Sequence, residues 1–272
     1  MYAFLRFPGF RKKALTLSYD DGTVYDKKMV EILDRYGIKC TFNLNSGLMG
    51  KERRMTKDEC IELFGNSHHE VAVHGKEHMS LLDVNVTFGL RDISDDRREL
   101  ENMFGRIITG MAYAFGDYRD DTPDMLKHCG ILYARTCVET ERFDMPSNML
   151  LWPSTCIHRN PRLFELLDKF LDSTPARHIW VDEPRLFYLF GHSYEFNDYN
   201  EWELLEEFCR KAGGRDDVWY ATNMEIYEYK RAYDSLIYSY DGTKIKNPSA
   251  IDVYASIMGK EIMIPAGDTV DF

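Results

Sequence analysis

Apolar and polar positions alternate through Leu15-Thr16-Leu17-Ser18-Tyr19, a period of two that predicts a strand over 14–19. The pattern then changes period repeatedly. Met29, Val30, Ile32 and Leu33 recur at helical spacing and predict a helix over 25–36 that closes on Gly37. A strand over 39–45 follows, then a helix opened by Thr56 with Glu59 three residues later, the capping-box arrangement, and stopped by Gly65. Residues 70–73 read as the third strand, 83–90 as a loop, and Ser94 as the cap of a charged helix running to about Phe104. Further strands are expected over 107–115, 131–137, 149–152 and 185–190. A short helix is expected from Thr122-Pro123 to Gly130, and a longer one, opened by Pro161, carries Leu163, Phe164, Leu166, Leu167, Phe170 and Leu171 as a core-facing stripe. A helix over 201–211 stopped by Gly213-Gly214, an eighth strand over 218–222 and a helix from Met224 to about Leu236 complete the series.

Seven or eight strand-helix units without a linker or a break in composition predict one parallel α/β domain, and that number favours a closed TIM-like barrel over an open sheet. The barrel is expected at 1–237. Residues 238–272 predict a small β appendage, with Asp241-Gly242, Asn247-Pro248, Met258-Gly259 and Ala266-Gly267 as turns between short β-prone runs. Hydrophobic residues make up 44% of the chain, which excludes wholesale disorder, and a net charge of -11 argues against nucleic acid or an anionic membrane as partner. No stretch approaches the ~20 apolar residues of a membrane span. Arg11, Lys12 and Lys13 follow the short apolar start instead of preceding it, the reverse of a signal peptide, so a soluble, cytoplasmic protein is expected. The six cysteines show no Cys-x-x-Cys spacing and lie mostly in apolar runs, as buried thiols in a reducing compartment would.

Two adjacent carboxylates, Asp20 and Asp21, end the first strand just before Gly22. Asp-Gly is common turn chemistry. The alternative is that one carboxylate holds a cation while the other handles a proton, which requires histidine ligands elsewhere. The third strand supplies them in Val73-His74-Gly75-Lys76-Glu77-His78. If the chain turns into helix after His74, residues four apart share a face and both imidazoles reach one metal. His68 and His69 read as structural histidines. A barrel builds its site at the C-terminal ends of its strands, and both motifs fall there.

These residues together resemble the polysaccharide deacetylases, also called the NodB-homology domain or carbohydrate esterase family 4. That family carries a Thr-Phe-Asp-Asp-Gly motif, a His-Ser/Thr-x-x-His motif, an Arg-Pro-Pro-Tyr or Ala-Tyr-Pro-Tyr-Gly motif and a late Leu-x-His motif on a distorted (β/α) barrel. Here Ser18-Tyr19-Asp20-Asp21-Gly22, His74-Gly75-Lys76-Glu77-His78, Ala112-Tyr113-Ala114-Phe115-Gly116 and Leu189-Phe190-Gly191-His192 stand in the same order, across roughly 14–222. The resemblance implies a divalent metal, commonly zinc and in some members cobalt or nickel, held by Asp21, His74 and His78. It implies Asp20 as general base, the Phe115 backbone N–H as an oxyanion donor and His192 as the acid that protonates the leaving group. Three protein ligands leave positions open for water and substrate, as a catalytic metal site requires.

The sequence also departs from the family pattern. Ala112 replaces the arginine that usually opens the third motif, and Arg135 is the candidate to orient Asp20 instead. The family's Asp-x-x-Asp-Trp motif is not recognisable; Leu151-Trp152-Pro153-Ser154-Thr155-Cys156-Ile157-His158 stands in its place, offering Trp152 as a pocket wall and His158 as a group within reach of the site. Tyr194, with Phe196 and Tyr199, follows His192 on what reads as a site loop where sugars could stack. The activity implied is removal of an acetyl group, N-acetyl before O-acetyl, from a carbohydrate substrate. Two other readings are carried forward: hydrolysis of another C–N bond in a small amide or imide, and a catalytically silent carbohydrate-binding barrel.

Overall fold

Every residue of strand β2 (Lys13–Asp20) is buried, and its alternation separates two environments. Leu15, Leu17 and Tyr19 pack outward into the main core, together with Met29, Val30 and Leu33 of helix α1 (Asp26–Arg35). The polar positions bond among themselves: the Thr16 hydroxyl donates to the Asn223 side chain, and Ser18 accepts from Asn43. The period of two thus records a strand with apolar residues under the helices and polar residues lining the interior.

The computed structural model describes residues 2–174, 178 and 182–272. Short strand β1 (Ala3–Arg6) precedes β2. After α1 come β3 (Thr41–Leu44), α2 (Lys57–Phe64), β4 (Glu70–Val73), α3 (Val86–Phe104), β5 (Gly110–Ala112), α4 (Thr122–His128) and β6 (Tyr133–Glu139). Strands β7 (Trp152–Ser154) and β8 (Cys156–Ile157) are nearly continuous, followed by α5 (Leu163–Leu171), β9 (Arg185–His192), α6 (Ser193–Asp198), α7 (Trp202–Ala212), β10 (Val218–Tyr220) and α8 (Asn223–Asp234). The main sheet is parallel, in the order β7-β6-β5-β4-β3-β2-β9-β8. Its two ends meet in one stretch of chain, because β7 pairs with β6 and β8 with β9, and the Thr155 N–H between them donates to Tyr188 O at 2.9 Å. The expected barrel is therefore present in distorted form. Strand β10 pairs with the start of β2 at Lys13, Ala14 and Leu15, while β3 takes over that side only from Ser18 to Asp20.

Registers bring the strand ends level: Asp20 lies opposite Asn43 on one side and His192 on the other, Val73 opposite Met111, and Ala112 opposite Arg135. The C-terminal tail adds β11 (Ile237–Tyr238), β12 (Lys244–Lys246), β13 (Val253–Ile257), β14 (Lys260–Ile264) and β15 (Thr269–Asp271). They form two small antiparallel sheets, ordered β1-β13-β14 and β11-β12-β15. Strand β1, from the start of the chain, pairs antiparallel with β13 and so shares a small sheet with the tail. Leu5 and Phe7 pack with Ala14, Tyr133, Leu186 and Ile226, so the appendage joins the barrel at its floor, away from the strand ends that carry Asp20 and His192.

Three local expectations are revised. Helix α3 starts at Val86, capped by the Asn85 side chain on the Thr87 N–H at 2.9 Å, and Ser94 lies in its interior. Its first turn was hidden because Val86, Thr87 and Gly89 are poor helix formers that tertiary contacts override. His74 and His78 are joined by a turn, not a helix, with φ of 83° at Gly75 and 54° at His78. Residues after His192 form helix α6 instead of a loop. The Thr56 capping box is present as expected.

Candidate active site

Asp20 is only 3% exposed. Arg135 Nη2 donates to both of its oxygens, at 2.6 and 2.5 Å, and Asn43 Nδ2 donates to Oδ1 at 2.7 Å. Burial pushes the carboxyl pKa up, but the Arg135 guanidinium, with His74 and His192 nearby, overrides this and holds it at about 2. Arg135 is itself fully buried, lies over the Phe190 ring at 4.7 Å and keeps its charge, since Asp20 outweighs the cost of burial. The structure thus places at Asp20 the one arginine proposed to stand in for that missing from the third motif.

Asp21 adopts φ 88°, a left-handed backbone that an aspartate tolerates better than most residues, and its N–H donates to Asn43 O at 2.9 Å. Asp21 Oδ1 is buried, accepts no hydrogen bond, and lies 3.9 Å from His74 Nε2 and 3.7 Å from His78 Nε2. Arg54 Nη1 is 3.1 Å from the same oxygen and also donates to Asp21 O. His74 Nδ1 is 2.9 Å from Ala112 O, to which it donates, and this turns Nε2 toward Asp20 Oδ2, at 3.8 Å, and Asp21 Oδ1. His78 packs edge-on against Phe115, 4.5 Å between centroids, and burial, followed by the neighbouring His74, lowers its pKa to about 4. One ligand atom each from Asp21, His74 and His78 falls within 4.8 Å of the others. A buried carboxylate oxygen without a hydrogen bond among the described residues, facing two imidazoles, fits a divalent cation.

The turn that carries the histidines is held from α3. Asp96 accepts from the N–H groups of His74, at 3.1 Å, and Ser46, at 2.7 Å, while Asp92 accepts from Glu77 N–H at 2.8 Å. Gly75 has no side chain because a Cβ there would lie 2.5 Å from Asp92 Oδ2. Asn45 donates to both His74 O and Gly75 O.

His192 closes the opposite side, with Nε2 3.9 Å from Asp20 Oδ2 and Nδ1 3.2 Å from Glu195 Oε2. Burial pulls its pKa down, but the hydrogen bond to Glu195 and the charge of Asp20 outweigh it, and the net shift is upward. Phe115, at φ 60° and 64% exposed, sets its side-chain ring edge-on to the His78 ring. Tyr194 lies 5.0 Å from the His192 ring, with Arg53 over its face at 5.4 Å.

Of the other expected substrate contacts, Trp152 is buried between Tyr133 and Tyr188 in the core, and His158 is fully buried between Tyr19 and Phe196. Neither presents a surface to a ligand. Phe196 is likewise core, whereas Tyr199 is exposed under Arg159. Asn43, Asp96 and Glu195 escaped the sequence reading. A visible signal existed for Glu195, three residues beyond His192 as in a capping box, though histidine is not among the usual caps.

Asp34, His68 and His69 form a second group of suitable residues. Cys40 N–H donates to His69 Nδ1, which leaves the ring proton on Nε2, facing Asp34 at 3.1 Å. That nitrogen offers no lone pair, which fits a structural role for His69.

Residues 8–134 match the polysaccharide deacetylase family model. This agrees with the resemblance carried by the motifs around Asp20 and His74. No curated protein matches the chain significantly. Among solved structures, a protein from Mycobacterium smegmatis described as a polysaccharide deacetylase superposes with a TM-score of 0.61 at 17% identity, covering 86% of this chain and 96% of its own. One from Pseudomonas aeruginosa PAO1, similarly described, gives 0.62 at 14%, covering 81% and 91%. An allantoinase, Puue, gives 0.63 at 12%, covering 84% and 93%. At these identities the likeness establishes the fold. His192 and Glu195 lie beyond the matched stretch. No helix among the described residues is long and apolar enough to cross a membrane.

Proposed function

We propose that the protein is a metal-dependent hydrolase that removes an acetyl group from a carbohydrate, an N-acetyl group in preference to an O-acetyl group. The observation that carries this reading is Asp20. It is an ionised, buried carboxylate clamped by Arg135, set level with His192 on the neighbouring strand and beside the Asp21, His74 and His78 trio. A divalent cation held by that trio, zinc or alternatively cobalt or nickel, would acidify a water molecule and polarise the acetyl carbonyl. Asp20 takes the proton of the attacking water, since a carboxylate held at about 2 is fully ionised at neutral pH. His192, whose pKa the hydrogen bond to Glu195 and the charge of Asp20 push upward, gives a proton to the departing group. An amine leaves only when protonated, which is why this acid suits an amide. The Phe115 N–H is the proposed oxyanion donor and Tyr194 the proposed sugar contact.

The test is a substrate panel of N-acetylated glycan oligomers, O-acetylated glycans and small cyclic imides, assayed with zinc or cobalt. Acetate release from the N-acetyl substrates is expected, with a loss of about 10²–10⁴-fold in Asp20→Asn. Turnover of imides alone would move the assignment to another C–N bond. Glycan binding without release would mark a silent barrel.

A further inference from the structure

His158 has an unusual position for a histidine. It is fully buried, and neither ring nitrogen makes a hydrogen bond among the described residues. Buried polar groups without partners are uncommon enough to need a reason. The ring is stacked on Tyr19, 5.7 Å between centroids at 12°, and lies 4.2 Å from the Phe196 centroid, so packing fixes its plane. Its Nδ1 is pressed against Gly191, where a Cβ would come within 1.9 Å of that nitrogen. Nε2 points the other way and stops 3.6 Å from Glu195 Oε2, the same oxygen that His192 Nδ1 approaches at 3.2 Å. Glu195 is thus flanked by two imidazoles, one facing the reaction centre and one sealed in the core.

We infer that His158 is a positioning residue: its Nε2–H faces the same Glu195 oxygen as His192 Nδ1 and steadies that carboxylate, and Gly191 leaves the room its ring needs. With Nδ1 against the glycine backbone, the proton of the neutral ring belongs on Nε2, directed at the carboxylate. Burial, the largest influence, keeps the ring neutral, with a pKa lowered to about 4. A neutral donor adds no competing charge to the His192–Glu195 pair. The contact stands just outside hydrogen-bond range and needs only a small shift of Glu195 to close, as catalytic contacts often do when substrate binds.

The inference rests on His192 acting as the acid, so its test has one arm independent of turnover. Nitrogen-15 chemical shifts of the His158 ring in the full-length protein report its tautomer; Nε2–H between pH 6 and 8 is expected, and Nδ1–H would overturn the inference. In the second arm, His158→Phe is expected to lower kcat about 10-fold with KM within about 2-fold, while His158→Gln, which retains an N–H donor, recovers most of the loss. Unchanged kcat in a folded His158→Phe protein would overturn the inference. If that variant fails to fold, the tautomer decides. If the wild-type protein turns over none of the panel while His158 carries Nε2–H, the proposed reaction fails and the positioning contact survives.

Discussion

Arg135→Met is expected to abolish most turnover, by about 10²–10⁴-fold, and to destabilise the protein by about 3–5 kcal/mol at neutral pH. Both effects come from one cause. Arg135 and Asp20 are a buried ion pair, and removing the cation leaves a carboxylate in an apolar enclosure with Asn43 as its remaining side-chain donor. Burial is the largest influence on Asp20 and acts upward; without Arg135 the carboxyl moves back toward protonation and ceases to be a base. The sign with pH follows from linkage. A carboxyl lowered from 3.8 to about 2 contributes stability that is present above its unfolded pKa and lost as pH falls through about 2. Urea denaturation at pH 7 and pH 3 should therefore show a large gap between wild type and variant at pH 7 and a smaller one at pH 3. Arg135→Lys retains the charge but not the planar fork and should fall between them. A variant with wild-type stability at both pH values would show that the pair is not coupled to folding.

Asp26→Asn is expected to stabilise the metal-stripped protein at alkaline pH and to flatten its pH dependence. Asp26 is fully buried at the start of α1; Ser193 donates to one oxygen and the other is an orphan. Burial raises its pKa from 3.8 to about 8, and burial likewise raises that of Asp96 to about 7. Folded Asp26 therefore keeps its proton while the unfolded chain has lost it. Between roughly pH 4 and pH 8 the native state binds the extra proton, and stability falls by about 1.4 kcal/mol per pH unit for each such group. Asparagine is neutral throughout and of similar shape, so thermal melts at pH 5 and pH 8 should lie closer together in the variant, where only Asp96 of this pair still titrates, than in the wild type. Parallel behaviour of the two proteins would mean that Asp26 ionises normally.

Much of the barrel was visible because its strands and helices obey the simple periods, as in β2, α1 and α5. The convergence of Asp20, Asp21, His74, His78 and His192 was legible because strand ends in a parallel barrel meet, whatever shape the intervening chain takes. The route between His74 and His78 was misread for that reason: spacing says that two residues are near, not whether a helix or a Gly75 turn brings them together. Trp152 and His158 were misplaced because sequence records that a side chain lies near a strand end, not which way it faces. Glu195 and Asn43 are ordinary residues by composition. Their importance comes from registers, Asn43 against Asp20 and α6 against β9, that local pattern does not carry.

The proposed hydrolysis depends on Asp21, His74 and His78 holding one divalent cation next to Asp20. Calorimetric titration of zinc into chelator-stripped wild type and His78→Ala, with acetate release measured on the same samples, tests it most directly. One zinc per chain is expected, with affinity and turnover both lost by about 100-fold or more in His78→Ala. Full metal binding and full activity in that variant would contradict the account.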